Sequence, residues 1–311
     1  MKDILRTAYA DKKVFLTGHT GFKGSWMLTV LRYLNARVKG YALNPEGNPS
    51  LYNLINGDTL CESVIEDINH LQKLKKELLD FQPDYIFHFA AQALVRRSYK
   101  EPLITFSTNV IGTANLLEAV RMMEKECKVI VVTTDKVYEN HERDIAYKES
   151  DKLGGFDPYS SSKACAEIVT GSYRLSYINP SGYKQHLKSV ATARSGNVIG
   201  GGDWSEDRII PDMINALTKG EILQVRNPKA ERPWQHVLEP LGGYLLLGAK
   251  MNQNPVKFAD CFNFGPNLED DLSVEGLVKI ALKEWGGGEY KIVENPDAPH
   301  EAGLLKLDIT K

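Results

Sequence analysis

Val14-Phe15-Leu16-Thr17-Gly18-His19-Thr20-Gly21-Phe22-Lys23-Gly24 is followed by a helical pattern at Trp26, Met27, Val30, Leu31 and Leu34. The apolar run reads as a short strand and the glycines as a turn that delivers the chain into a helix. Glycines at these places permit a tight turn, close approach of a pyrophosphate to the backbone, and close helix-strand packing. The spacing is G-x-x-G-x-x-G, and its position directly after the first strand gives it meaning. Gly18, Gly21 and Gly24 are therefore candidate dinucleotide-binding residues.

Working outward, Val38–Leu43, Ser63–Ile68, Pro83–Gln92 and Lys128–Val132 read as further strands, with helical patterns over Leu71–Leu79 and about Leu103–Met123. This alternation predicts an α/β fold built on a doubly wound parallel sheet. Strand two continues into Asn44-Pro45-Glu46, without an acidic residue at its end to grip a ribose or an arginine for a 2′-phosphate, so it leaves NAD or NADP open. Asp67 could accept from an adenine amino group or cap a helix. Ala90 and Ala91 are small enough for a flat cofactor to lie against the strand end. His88, inside an apolar run, is expected to be a hydrogen-bonded core residue.

The fifth strand runs into Thr133-Thr134-Asp135-Lys136-Val137-Tyr138, which places two hydroxyls, a carboxylate and an amine at the end of a buried strand. Ligands of open α/β sheets bind at such ends. Pro158 then starts a helix carrying Tyr159 and Lys163 on one face. A phenol is a poor base at neutral pH, and an adjacent ammonium favours the phenolate. Tyr9 and Lys13 share the spacing but precede the first strand. After the strand Ser189–Arg194 the alternation lapses into Pro-punctuated segments, read as a smaller substrate-binding lobe. There Arg208 and Arg232, with Arg96 on an earlier loop, are candidates to hold phosphate oxygens or reach substrate.

Composition sets the outer limits. With 311 residues, 42% apolar and 25% charged, the chain can bury a large core, and a net charge of −2 predicts neither a nucleic-acid nor a membrane partner. No signal peptide or spanning segment is read, so the cytoplasm is expected. Cys61, Cys127, Cys165 and Cys261 are too scattered for a zinc site or a disulfide framework and are expected to be reduced, mostly buried thiols. No metal is expected.

The stretches Thr17–Trp26, His88–Gln92 with Val95–Tyr99, Thr133–Tyr138, Tyr159–Lys163 and Gly196–Trp204 resemble the extended short-chain dehydrogenase/reductases, and within them the sugar-nucleotide 4,6-dehydratases that act on CDP-glucose. The resemblance covers nearly the whole chain from Lys13. It implies a Rossmann domain over residues 1–194, to which 237–265 return, and a smaller C-terminal lobe from 195–236 and 266–311, apparently truncated because family members continue further. It implies NAD, held by Gly18, Thr20, Gly21, Phe22, Gly24, Asp67, Ile68, Ala90, Ala91, Gln92, Thr133, Tyr159 and Lys163. It implies a homodimer, and a CDP-glucose substrate met by Arg96, Asn197, Arg208, Arg232 and His236 and turned into a 4-keto-6-deoxy sugar for deoxysugar and lipopolysaccharide O-antigen synthesis.

In that mechanism Tyr159, assisted by Thr134 and Lys163, takes the 4-hydroxyl proton. Lys136, where related dehydratases carry glutamate, removes the C5 proton or positions the group that does, and Asp135 protonates the departing 6-hydroxyl. An epimerase of the same superfamily and a non-catalytic NAD-binding scaffold are the alternative readings.

Overall fold

The computed structural model describes residues 1–267, 272–293 and 303–311, so part of the 266–311 lobe expectation lies outside the described residues. The chain runs α1 (Lys2–Tyr9), β1 (Lys13–Thr17), α2 (Phe22–Tyr33), β2 (Arg37–Ala42), β3 (Glu62–Ile65), α3 (Leu71–Phe81), β4 (Tyr85–His88), α4 (Gly112–Arg121), β5 (Cys127–Val132), α5 (Pro158–Ser176), β6 (Lys188–Ser195), α6 (Ile209–Lys219), α7 (Leu238–Gln253), β7 (Cys261–Phe264) and α8 (Val274–Trp285). The seven strands form one sheet in the order β7-β6-β5-β4-β1-β2-β3, and every pairing is parallel. This is the doubly wound Rossmann topology expected from the sequence. Its order reverses between β1 and β4, where such sheets bind their ligands.

Alternate side chains of one strand feed opposite faces of the sheet. Val14 and Leu16 of β1 join a core with Met27, Leu28 and Leu31 of α2 and Leu241, Tyr244 and Leu245 of α7. Phe15 joins the other core, with Leu74, Leu116 and Val129. α1 closes the first face, where the Tyr9 hydroxyl donates to the Leu245 carbonyl at 2.7 Å. Beyond β6 a separate small core of Met213, Leu223, Val225 and Val278 holds α6 and α8 together.

Several sequence expectations need correction. The fourth strand ends at His88 because Phe89 and Ala90 turn their N–H groups onto the Thr17 hydroxyl, and Gln92 turns its N–H onto Asn109. The helix read before β5 is present as one unbroken run, Pro102–Phe106, a π turn at Ser107–Ile111, and α4. Of the four free cysteines only Cys127 is buried, the others being partly exposed. His88 is a core residue as read, with Nδ1 2.8 Å from the Thr17 hydroxyl and Nε2 3.1 Å from that of Thr113.

Candidate active site

The glycine turn sits at the reversal point of the sheet. Gly18 has φ +72°, and a Cβ there would come within 2.7 Å of the Ala90 nitrogen; a Cβ on Gly24 would lie 2.0 Å from the Gly18 carbonyl oxygen. These two positions admit only glycine because β1, β4 and α2 converge there. At Gly21 a Cβ would meet only the Gly18 oxygen, at 3.5 Å, so the side facing outward is open. Gly21 is also the N-cap of α2 and offers no side-chain acceptor to the first turn. A twelve-residue helix whose N-terminus lacks a side-chain cap at this place fits the pyrophosphate of a dinucleotide.

The other residues read as cofactor ligands are differently placed. The Thr20 hydroxyl donates to the Leu43 carbonyl at 2.9 Å. Asp67 caps a turn, with Oδ1 accepting from the N–H and side-chain amide of Asn69 at 2.8 and 3.0 Å, while His70 is the N-cap of α3. Ile68 is 5% exposed and packs under Gly112. Gln92 spends its side-chain amide on Thr105 and Leu94, and Thr133 gives its hydroxyl to Glu167 and its N–H to Ala193. Phe22, Ala90 and Ala91 are partly exposed around the turn.

At the end of β5 the chain makes a 3₁₀ turn, Asp135–Val137, whose N-cap is Thr134. The turn is pinned by Val137 and Tyr138, both buried, with the Tyr138 hydroxyl donating to Asn263 at 2.6 Å and accepting from Arg194 at 2.9 Å. Asp135 is completely buried. Its Oδ1 accepts from the Thr134 hydroxyl at 2.8 Å and from Lys136 Nζ at 3.0 Å, whereas Oδ2 has no hydrogen-bond partner. Lys136 Nζ also donates to Asn197 Oδ1 at 3.1 Å, which ties the loop after β6 to the loop after β5.

α5 starts with Pro158 at its first turn and Asp157 as N-cap, accepting from the Ser160 N–H at 2.9 Å. This sets Tyr159 and Lys163 on the face toward the sheet end. Burial pushes the Tyr159 phenol up to about 12, with Asp135 and Asp157 adding to the shift, while a Thr134 hydrogen bond and the charge of Arg208 oppose it. Lys163 is pushed down to about 8 by burial, against the pull of Glu167. Its ammonium donates to the Val132 carbonyl at 2.8 Å. Tyr159 and Lys163 thus share a helix face, with the amine anchored at the strand end.

The arginines read as substrate contacts divide. Arg208 pairs with Asp203 at 2.8 Å and its charge reaches Tyr159, and Arg96 stands 3.7 Å from Asp207. Arg232 is buried and donates to the Glu231 and Gly303 carbonyls at 2.8 and 3.0 Å, toward main chain. His236 is exposed, edge-on to Trp26.

Sequence reasoning missed three residues with roles here. Asn109, in the π turn, donates to the Gln92 carbonyl at 3.0 Å and to Ser162 of α5 at 2.8 Å. Glu167, one turn after Lys163, binds Thr133, Thr192 and Arg194, clamping α5 to β5 and β6. Lys23, between two of the glycines, reaches Ser195 at 3.1 Å. Only Lys23 left a trace in the sequence, as a charge inside the glycine turn.

A family model described as GDP-mannose 4,6 dehydratase matches residues 15–259. The chain belongs to the GDP-mannose 4,6-dehydratase family. The dehydratase is 46% identical to a CDP-glucose 4,6-dehydratase of Salmonella typhimurium, over 97% of this chain and 84% of that protein. It is 32% identical to the human dTDP-D-glucose 4,6-dehydratase, over 88% of this chain and 73% of the other. Its fold matches the crystal structure of DesIV, a dTDP-glucose 4,6-dehydratase from Streptomyces venezuelae with NAD bound, with a TM-score of 0.80 and 25% identity over 95% of this chain and 88% of that one. The resemblance read in the sequence is thus borne out. Among the described residues no group of three or more His, Cys, Asp or Glu could hold a metal, and no helix is long and apolar enough to cross a membrane.

Proposed function

We propose that this dehydratase acts on CDP-glucose, converting it to CDP-4-keto-6-deoxyglucose with NAD. The reading is carried by the pair of buried Asp135 and half-buried Lys136 held beside Thr134 and Tyr159, since an epimerase needs the phenol and Lys163 but not a carboxylate-amine pair for dehydration. The CDP-glucose 4,6-dehydratase relative supports the choice of sugar nucleotide.

NAD held on the glycine turn, when bound, supplies reversible hydride exchange and, in its oxidised form, positive charge. The chain's own groups move the protons. Tyr159, neutral in the free protein because burial holds its pKa near 12, must first lose its phenolic proton to solvent, which the positive charge of bound NAD would favour. The phenolate, with the Thr134 hydroxyl beside it, then takes the 4-hydroxyl proton. The 4-ketone acidifies C5–H. A proton passing from the Lys136 ammonium to Asp135 along their hydrogen bond leaves an amine that removes the C5 proton and a carboxylic acid that protonates the 6-hydroxyl as water leaves, which restores the ion pair. Arg96 and Arg208 are assigned to the diphosphate because guanidinium geometry suits its oxygens. Residues 195–236 and 266–311 are taken as the substrate lobe.

Leu103, Ile104 and Ile111 before α4, with Ile168 and Leu175 on α5, are exposed apolar side chains on helices that support a homodimer. The cytoplasm and a place in deoxysugar and O-antigen synthesis follow as further parts of the reading. The test is turnover with CDP-glucose, UDP-glucose, dTDP-glucose and GDP-mannose, read by the alkali absorbance of the 4-keto product. CDP-glucose should dominate; equal or better turnover of another nucleotide, or a 4-epimer without keto product, would overturn the assignment.

A further inference from the structure

We propose that Asn197 is the positioning residue for the C5 base: its side-chain amide oxygen, brought in from the loop after β6, fixes where the Lys136 amine stands when it takes the proton. The proposal rests on the reading of Lys136 as that base.

A lysine amine stands at the end of a long stem whose rotamers cost free energy to order. The backbone of Lys136 is fixed by the 3₁₀ turn, where its N–H donates to the Thr134 hydroxyl at 3.4 Å, but its side chain is 19% exposed, so packing alone does not settle the position of Nζ. Two oxygens do. Nζ donates to Asp135 Oδ1 at 3.0 Å and to Asn197 Oδ1 at 3.1 Å. Asp135 is the neighbouring residue on the same turn, so its bond fixes the distance between amine and carboxylate. Asn197 lies 61 positions away, and a second point from a separate strand fixes the direction.

The second point is itself held. At Gly196 a Cβ would lie 2.7 Å from Pro233 Cγ and 3.3 Å from Asp135 Oδ2, so the backbone ahead of Asn197 is wedged between the segment at Pro233 and the carboxylate. The Asn197 carbonyl accepts from the Gln235 N–H at 3.3 Å, and Val198–Ile199 pair in parallel with Gln235–His236. Both sides of Asn197 are thus clamped to one segment, and only a short side chain separates that clamp from Nζ.

The chemistry uses this anchor. When the ammonium gives a proton to Asp135, one N–H bond breaks, an O–H bond forms, and the amine keeps two N–H groups. One of them rests on Asn197, so the nitrogen holds its place while its lone pair turns to C5. The anchor is an uncharged amide, which cannot compete with Asp135 for the proton that the departing 6-hydroxyl needs.

The test follows solvent deuterium uptake at C5 of whichever sugar nucleotide the protein turns over. Asn197→Leu, similar in shape but without the oxygen, should lose about tenfold or more in kcat while KM stays within about twofold. Reduced cofactor should accumulate in it, because oxidation at C4 through Tyr159 continues while the C5 step slows. Asn197→Asp, which keeps an oxygen at the same place, should recover exchange well above Asn197→Leu. In substrate-free protein carrying nitrogen-labelled lysine, the Nζ signal that Lys136→Met removes should exchange its protons with water about tenfold faster in Asn197→Leu. Wild-type kcat in Asn197→Leu, a raised KM with kcat unchanged, no recovery in Asn197→Asp, or an Nζ signal that exchanges as in wild type would each overturn the proposal. Normal turnover by Lys136→Met strikes down the reading beneath it, whereas an inactive Lys136→Met beside a fully active Asn197→Leu strikes down the proposal alone.

Discussion

Replacing Gly24 by alanine tests the convergence that builds the cofactor turn. The new Cβ would lie 2.0 Å from the Gly18 carbonyl oxygen and 2.8 Å from both the Gly18 carbonyl carbon and the His19 Cα, whereas ordinary contact begins at 3.4 Å. The helix and the turn must therefore part by about 1.4 Å, the difference between those two distances. All three neighbours are backbone atoms, so no rotamer change can absorb the movement. Met27, Leu28 and Leu31 of α2 are fully buried, and the displacement would disturb their packing as well. Overpacking of this kind costs about 1–3 kcal/mol, and a backbone clash this close should fall at the upper end, near 3 kcal/mol. Gly171→Ala is the control, because its Cβ meets nothing within 4 Å inside α5. It should stabilise by about 0.5–1 kcal/mol through helix propensity. Urea denaturation with unchanged m-values measures both, and NAD titration measures the turn. A Gly24→Ala protein within about 0.5 kcal/mol of wild type that binds NAD normally would refute the reasoning.

Three further outcomes follow from the site. With cofactor removed, the ultraviolet difference between wild type and Tyr159→Phe should show no phenolate step between pH 6 and 9, because Tyr159 is held near 12; a step near neutrality would contradict the electrostatics. Burial, with the charge of Lys163 adding to it, pushes His88 down to about 3, so between that value and 6.5 the unfolded chain binds the proton that the folded one refuses. Stability should fall as pH drops through this window, by up to about 4 kcal/mol, and His88→Gln should flatten the fall in denaturation midpoints. Lys136→Met should stop C5 exchange while the 4-hydroxyl can still be oxidised, and normal turnover by that variant would remove Lys136 from the mechanism.

Much of this architecture is local and therefore legible in the sequence. The turn Gly18–Gly24 joins adjacent elements, β1 to β5 alternate with helices, and Thr134 to Lys136 cap one strand. What escaped depends on contacts made across the fold. Lys23 meets Ser195 from 172 positions away, and Asn109 meets Ser162 from 53. Glu167 lies only four residues past Lys163, yet its function depends on Arg194, which the sheet brings alongside. The partner of Lys163 was hidden for a similar reason. Helix spacing places the two on one face, but the Val132 carbonyl at the end of β5 decides where the ammonium rests. The fourth strand ran short because the Thr17 hydroxyl took over the N–H groups of Phe89 and Ala90, an interaction between strands that no run of apolar residues announces.

The most direct measurement of the central claim is the fate of a deuterium placed at C4 of CDP-glucose and turned over in ordinary water. The account predicts a 4-keto-6-deoxy product with that deuterium at C6 and solvent hydrogen at C5. Product whose C6 carries only solvent hydrogen, or labelled sugar returned as its 4-epimer, would contradict it.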